Sequence, residues 1–182
     1  MLKKIIIIIF SFNYIFTANI FIDSQKSYIE YMGYHPLHNW IGKSTAIQSK
    51  IDCDDSNLSN CNIIIDVKAD SFNSQNTNRD SNAIDVIEAY IYSNIKFEST
   101  SYAVKKDLND TLIVDLHGSL IFHGIKKKIS SELIVVKKEN MIFGTSQFQI
   151  NPTDFGIVLP TLLFVSIYDQ IDIKVHLVGY YE

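Results

Sequence analysis

The sequence predicts an all-β domain carrying one short helix, and three observations support that class. Apolar and polar residues alternate with period two. Ile63, Ile65, Val67 and Ala69 fall on one face while Asp66, Lys68 and Asp70 fall on the other, and Ile171, Ile173, Val175 and Leu177 repeat the pattern against Asp172, Lys174 and His176. Similar runs occupy residues 26–33, 42–52, 94–104, 111–122, 128–136 and 141–150, which makes about eight strands. Only one stretch, "RDSNAIDVIEAYI", spaces its apolar residues three and four apart. Closely spaced strands with turn residues between them describe a sandwich or a barrel.

The first residues stand apart from the fold. Lys3 and Lys4 precede an apolar run from Ile5 to Phe16, broken by Ser11 and Asn13 and followed by the small residue Ala18. That order reads as a secretory leader over residues 1–18, leaving 19–182 as a single domain in the periplasm or outside the cell. A membrane-spanning helix needs about 20 apolar residues, more than this interrupted run supplies.

Composition excludes several functions. The chain has 182 residues, is 47% hydrophobic and 12% aromatic, and so is long and apolar enough to bury a core. Twenty carboxylates against 16 Lys and Arg leave no basic footprint for nucleic acid. The single basic cluster, Lys126, Lys127 and Lys128, reads as a solvated strand edge or a weak contact with anionic lipid headgroups. Exposed strand edges also allow a homodimer.

Cys53 and Cys61 bracket the polar turn "DDSNLSN" between two strand-like runs. An even cysteine count in an exported chain points to a disulfide, worth about 2–3 kcal/mol in the chain-entropy account. A metal pair is disfavoured because no further ligands accompany them.

The helical stretch follows, with Ala83, Ile84, Ile87, Tyr90 and Ile91 on one face. Asp80, Ser81 or Asn82 would cap it, with Asp85 in its first turn. Just before it lies Arg79, the only arginine in the chain. A guanidinium there suits either an anion site or a clamp on a loop carbonyl, with Asp80 as partner or cap. The adjacent carboxylate favours the clamp. Near the C-terminus, "NPTDFGIVLPTLLFV" is too apolar for an ordinary surface loop. It predicts a lid, a plug or core, with a short helix near Leu162.

Catalytic chemistry finds little support. The histidines are His35, His38, His117, His123 and His176. His35 and His38 form an H-x-x-H pair, and His117 and His123 would share a strand face at a spacing of six. Neither pair brings the third ligand that a zinc site needs. There is no G-x-S-x-G, P-loop or G-x-G-x-x-G.

Four stretches taken in order resemble the YceI-like family of exported, lipocalin-like polyisoprenoid-binding proteins. "SYIEYMGYHPLHNWIGKS" is similar to its first two strands, and "VKADSFNSQNTNRDSNAIDVIEAYIYSNIKFES" to its Ser-rich segment, Arg-Asp pair, helix and next strand. "LHGSLIFHGIKKKI" resembles the central hairpin with Gly118, Leu120 and Gly124, and "FQINPTDFGIVLPTLLFVSIYDQIDIKVHL" the Asp-Phe-Gly segment and last strand. Asn82 stands where the family often has His, and Ser93 where it tends to have Pro.

The resemblance implies an eight-stranded antiparallel lipocalin-like barrel whose apolar cavity holds an isoprenoid or similar amphiphilic lipid. It implies no catalysis and no cofactor beyond that bound lipid. The expected lining is Trp40, Ile84, Ile87, Tyr90, Phe97, Phe122, Phe148, Phe155 and Leu162, with Arg79, Asn82 and His123 at the mouth. Two other functions compete: a His-dependent metal protein or enzyme, and a stress-related interaction protein with a filled barrel.

Overall fold

A computed structural model describes residues 18–54, 58–162 and 164–181, so all of the expected leader except Ala18 lies outside the described residues. The elements in order are β1 (Ala18–Ile22), β2 (Tyr28–His35), β3 (His38–Ser44), β4 (Ile47–Cys53), β5 (Cys61–Lys68), α1 (Thr77–Val86), β6 (Asn94–Asp107) and β7 (Thr111–Phe122). They continue with β8 (Ile125–Lys138), β9 (Met141–Ile150), β10 (Thr161–Leu162), β11 (Val165–Ser166) and β12 (Ile171–Tyr181).

Eight strands close an antiparallel ring in the order β1-β4-β5-β6-β7-β8-β9-β12, sealed by β1 against β12. The expected barrel is therefore present. β12 is its hub. One edge pairs with β9, while the other pairs with β2 through Ile171 to His176 and with β1 through Gly179 to Tyr181. β1 and β2 are thus two halves of one stave, and β3 and β4 two halves of the next.

Local chemistry explains both breaks. Between β1 and β2, the Asp23 carboxylate accepts from Gln25 N–H and starts a turn. The buried Ser27 hydroxyl then donates to the Val178 carbonyl and accepts from its N–H, replacing the ladder bonds that the turn removes. Between β3 and β4, the Ser44 hydroxyl accepts from Ala46 N–H at 3.1 Å and bonds the Ser71 hydroxyl at 2.7 Å. Ser44 and Ile47 are both buried, so the inward phase slips by one residue there.

The two ends of the barrel differ. At one end the β4–β5 hairpin is stapled by the Cys53–Cys61 disulfide, across directly paired residues with Cα atoms 4.1 Å apart. The loop between them tucks Leu58, only 1% exposed, into the core. At the other end the ring flares. Among the described residues, the free edge of β3 has a single backbone bridge, Lys43–Asn73, and β8 pairs with β9 only from Glu132 onward. Residues 125–131 of β8 consequently keep an unpaired edge among the described residues, and Lys126, Lys127 and Lys128 are exposed along it.

Helix α1 lines the cavity at the flared end and begins earlier than the sequence predicted. Asn76 caps it by accepting from Arg79 N–H at 3.1 Å, so Asp80 lies in its first turn and Asp85 near its end. Asp80 instead accepts from the Ser74 N–H and hydroxyl, bracing the preceding loop. The short helix expected near Leu162 is absent: Thr161–Leu162 forms β10, paired with β11 in a small hairpin, and the helical turn in this region is Pro152–Phe155.

Candidate ligand cavity

Inward residues of the ring enclose a cavity of about 670 Å³, within the range of small-molecule sites. Five inward positions of β9, from Ile142 to Ile150, line it in succession. Eight residue steps at about 3.3 Å, tilted by about 40°, give a tube about 20 Å long. Isoleucine, leucine and valine make most of its wall, because the period-two apolar faces of β5, β7 and β12 all point inward. Leu58 lines the closed end.

Three aromatic rings lie against the wall because glycines make room for them. Gly33 is paired with Trp40 and Gly42 with Tyr31, so each strand of the β2–β3 hairpin offers a bare backbone to the other's ring. A Cβ added at Gly33 would sit 2.4 Å from the Trp40 ring, and one at Gly42 would sit 2.2 Å from the Tyr31 ring. Gly118 receives the Phe97 ring in the same way. Burial pushes the Tyr31 phenol above its usual range, so its hydroxyl keeps its proton.

The flared end is the mouth, and there the lining turns polar. Asn76, Asn78, Arg79, Asp80 and Asn82 come from α1 and its cap, and His35 and His38 from the β2–β3 tip. Arg79 donates from Nε to the Ser74 hydroxyl at 2.8 Å and from Nη2 to the Ser74 carbonyl at 3.1 Å, with its guanidinium 5.9 Å from the Trp40 ring centre. That is a loop clamp stacked over an aromatic wall. Leu159, Pro160, Thr161 and Ile167 border the mouth from the late segment.

Of the residues singled out in the sequence, Trp40, Ile84, Ile87, Phe97, Phe122 and Phe148 lie on the cavity wall, with Arg79 and Asn82 at its mouth. Three others lie elsewhere. Tyr90 is 82% exposed on the turn after α1, because the helix ends at Val86 and the helical spacing does not continue to it. Phe155 is 2% exposed and packs behind the wall on Phe122, ring centres 5.5 Å apart. His123 sits past the end of β7, where its Nδ1 bonds the Phe155 carbonyl at 2.9 Å and its Nε2 the Glu88 carboxylate at 2.7 Å. It latches the turn after α1 to the Pro152–Phe155 segment and does not share a face with His117, which is half-exposed near Asp115. The side chain of Leu162 lies outside the described residues.

Sequence reasoning missed most of the aliphatic wall as well as His35 and His38. The signal was present in the alternating faces, which place Ile63, Ile65, Ile173 and Val175 inward together. Selection by ring size passed over them.

A profile described as YceI-like domain matches residues 21–179. The chain belongs to the YceI-like family. Among solved structures, the YceI-like barrel is similar to Burkholderia cenocepacia BcnA at 16% identity and a TM-score of 0.74, covering 86% of this chain and 98% of that one. It is similar to a polyisoprenoid binding domain from Saccharophagus degradans, implicated in plant cell wall breakdown, at 13% identity and a TM-score of 0.68, covering 91% and 98%. The Campylobacter jejuni YCEI protein shares 21% identity with a TM-score of 0.59 over 75% and 81%. At these identities the likeness is one of fold. No curated protein sequence matches the chain. In this YceI-like chain Asn82 places a polar side chain at the mouth. The Ser93 carbonyl accepts from Ala69 N–H at 2.9 Å.

Proposed function

We propose that this YceI-like protein binds and carries a long-chain isoprenoid or similar amphiphilic lipid in its barrel, without catalysis, in the periplasm or outside the cell. The observation that carries this reading is the cavity: a tube with mostly aliphatic walls, filled by Leu58 at the disulfide end and with its charged and most of its polar lining near the mouth. Such a wall holds a chain by burial, at about 25 cal/mol for each Å² of apolar surface removed from water, before the cost of association. The similar S. degradans domain is named for polyisoprenoid binding, and the disulfide suits an oxidising compartment. Loading requires transient contact between the mouth and a membrane, and Leu37, Val158 and Phe164 are exposed at that end.

Lipids extracted from protein purified out of membrane-containing cells and analysed by mass spectrometry are expected to include a stoichiometric isoprenoid or related amphiphile. If nothing co-purifies, and added polyprenols fail to displace a fluorescent lipid probe, the carrier reading is wrong.

A further inference from the structure

The cavity wall includes a buried polar atom that the fold leaves unanswered. His35 is 3% exposed, and its Nε2 has no hydrogen-bond partner among the described residues. The other ring nitrogen settles what that atom offers. Leu37 N–H donates to Nδ1 at 3.2 Å, so Nδ1 presents its lone pair and the ring proton resides on Nε2. His35 is therefore a hydrogen-bond donor held at the mouth of an apolar tube. A buried donor without an acceptor destabilises a fold, whereas an apolar residue of similar shape would not. This residue lies on the inward face of β2, where Ile29 and Tyr31 precede it.

Its surroundings describe the missing acceptor. The His38 ring lies 5.6 Å from His35, Trp40 lies 5.8 Å beyond it, and Arg79 stacks over Trp40. Asp80 brings a carboxylate to the same mouth, which offsets the charge of Arg79, and both side chains are already bonded to Ser74. Below this collar the wall is almost wholly apolar. We infer that His35 is the specificity residue of a headgroup subsite, selecting amphiphiles that end in an uncharged acceptor oxygen, a hydroxyl or a carbonyl, over chains ending in hydrocarbon or phosphate. The inference rests on the carrier reading and adds the ligand's polar end.

The test compares three probes of one chain length: geranylgeraniol, its phosphate, and the hydrocarbon lacking the hydroxyl. The wild-type protein is expected to bind the alcohol about tenfold more tightly than the hydrocarbon, the value of one good hydrogen bond, and more tightly than the phosphate. His35→Phe, or His35→Leu if the larger ring does not pack, removes the donor. It should erase the alcohol's advantage over the hydrocarbon and leave the melting temperature of the free protein the same or higher. His35→Gln keeps an N–H near the Nε2 position and should keep the preference. Equal wild-type binding of alcohol and hydrocarbon, or a preference that survives in His35→Phe, overturns the subsite while leaving the carrier function standing. Tighter binding of the phosphate overturns the uncharged class. If no probe binds, the carrier reading falls and the subsite falls with it.

Discussion

Arg79 shows what one residue's chemistry does that a near relative's would not. Its fork holds both the hydroxyl and the carbonyl of Ser74 while its charge sits over the Trp40 ring, a combination the point charge of lysine does not reproduce. Sequence alone narrowed its role to clamp or anion site, and the hydrogen bonds identify the clamp. The glycines were less legible at this scale, because nothing in a strand pattern tells which aromatic ring will lie across a bare backbone. Gly118 is the most constrained of them: a Cβ there would meet the Phe97 ring at 2.2 Å and the Glu98 carbonyl oxygen at 2.6 Å. Since the carbonyl belongs to a paired strand, Gly118→Ala should lower stability by about 1–3 kcal/mol in denaturant unfolding. An unchanged midpoint would mean that the two strands are free to separate there.

Among the elements, strands whose alternation runs unbroken were read to the residue: β7 and β9 occupy the predicted ranges. Those with an internal phase slip were not. β3 and β4 were read as one run because Thr45 and Ala46 shift the inward face without any change in composition. Helix α1 was found by periodicity, but its start was misplaced. Asn76 precedes the apolar face by more than a turn, and capping depends on side-chain geometry that spacing does not encode. The hairpin of β4 and β5 carries its own test. Reducing the Cys53–Cys61 bond removes a crosslink over a sequence separation of 8 and should cost about 2–3 kcal/mol. Denaturant curves with and without reductant, alongside a Cys53→Ser/Cys61→Ser variant, measure it, and coincident curves would show that strand pairing alone holds this end.

For the whole molecule, acidification should erode stability in a defined range. Lys26 holds Asp23 below its ordinary value, Lys96 and then Lys126 do the same for Glu98, and the Tyr34 hydroxyl, followed by Gln170, for Asp172. A carboxylate with a lowered folded value favours folding fully above its unfolded value of about 4, and that contribution is lost as pH falls through the folded value. Melting temperature should therefore decline below about pH 4. Glu98→Gln should soften that decline, and a melting temperature that rises on acidification would contradict the argument.

The position of β12 bears on the order in which the chain folds. It pairs with β9, β2 and β1, and although β1 has β4 and β2 has β3 as neighbours without it, the ring is sealed only when it arrives. Residues 20–22 meet 179–181, so the entropy of closing nearly the whole chain is lost in the final step. A ribosome-bound chain lacking β12 has no ring to close. Closure of this barrel therefore waits for β12, while the hairpins of consecutive strands from β2–β3 to β8–β9 are able to pair before it.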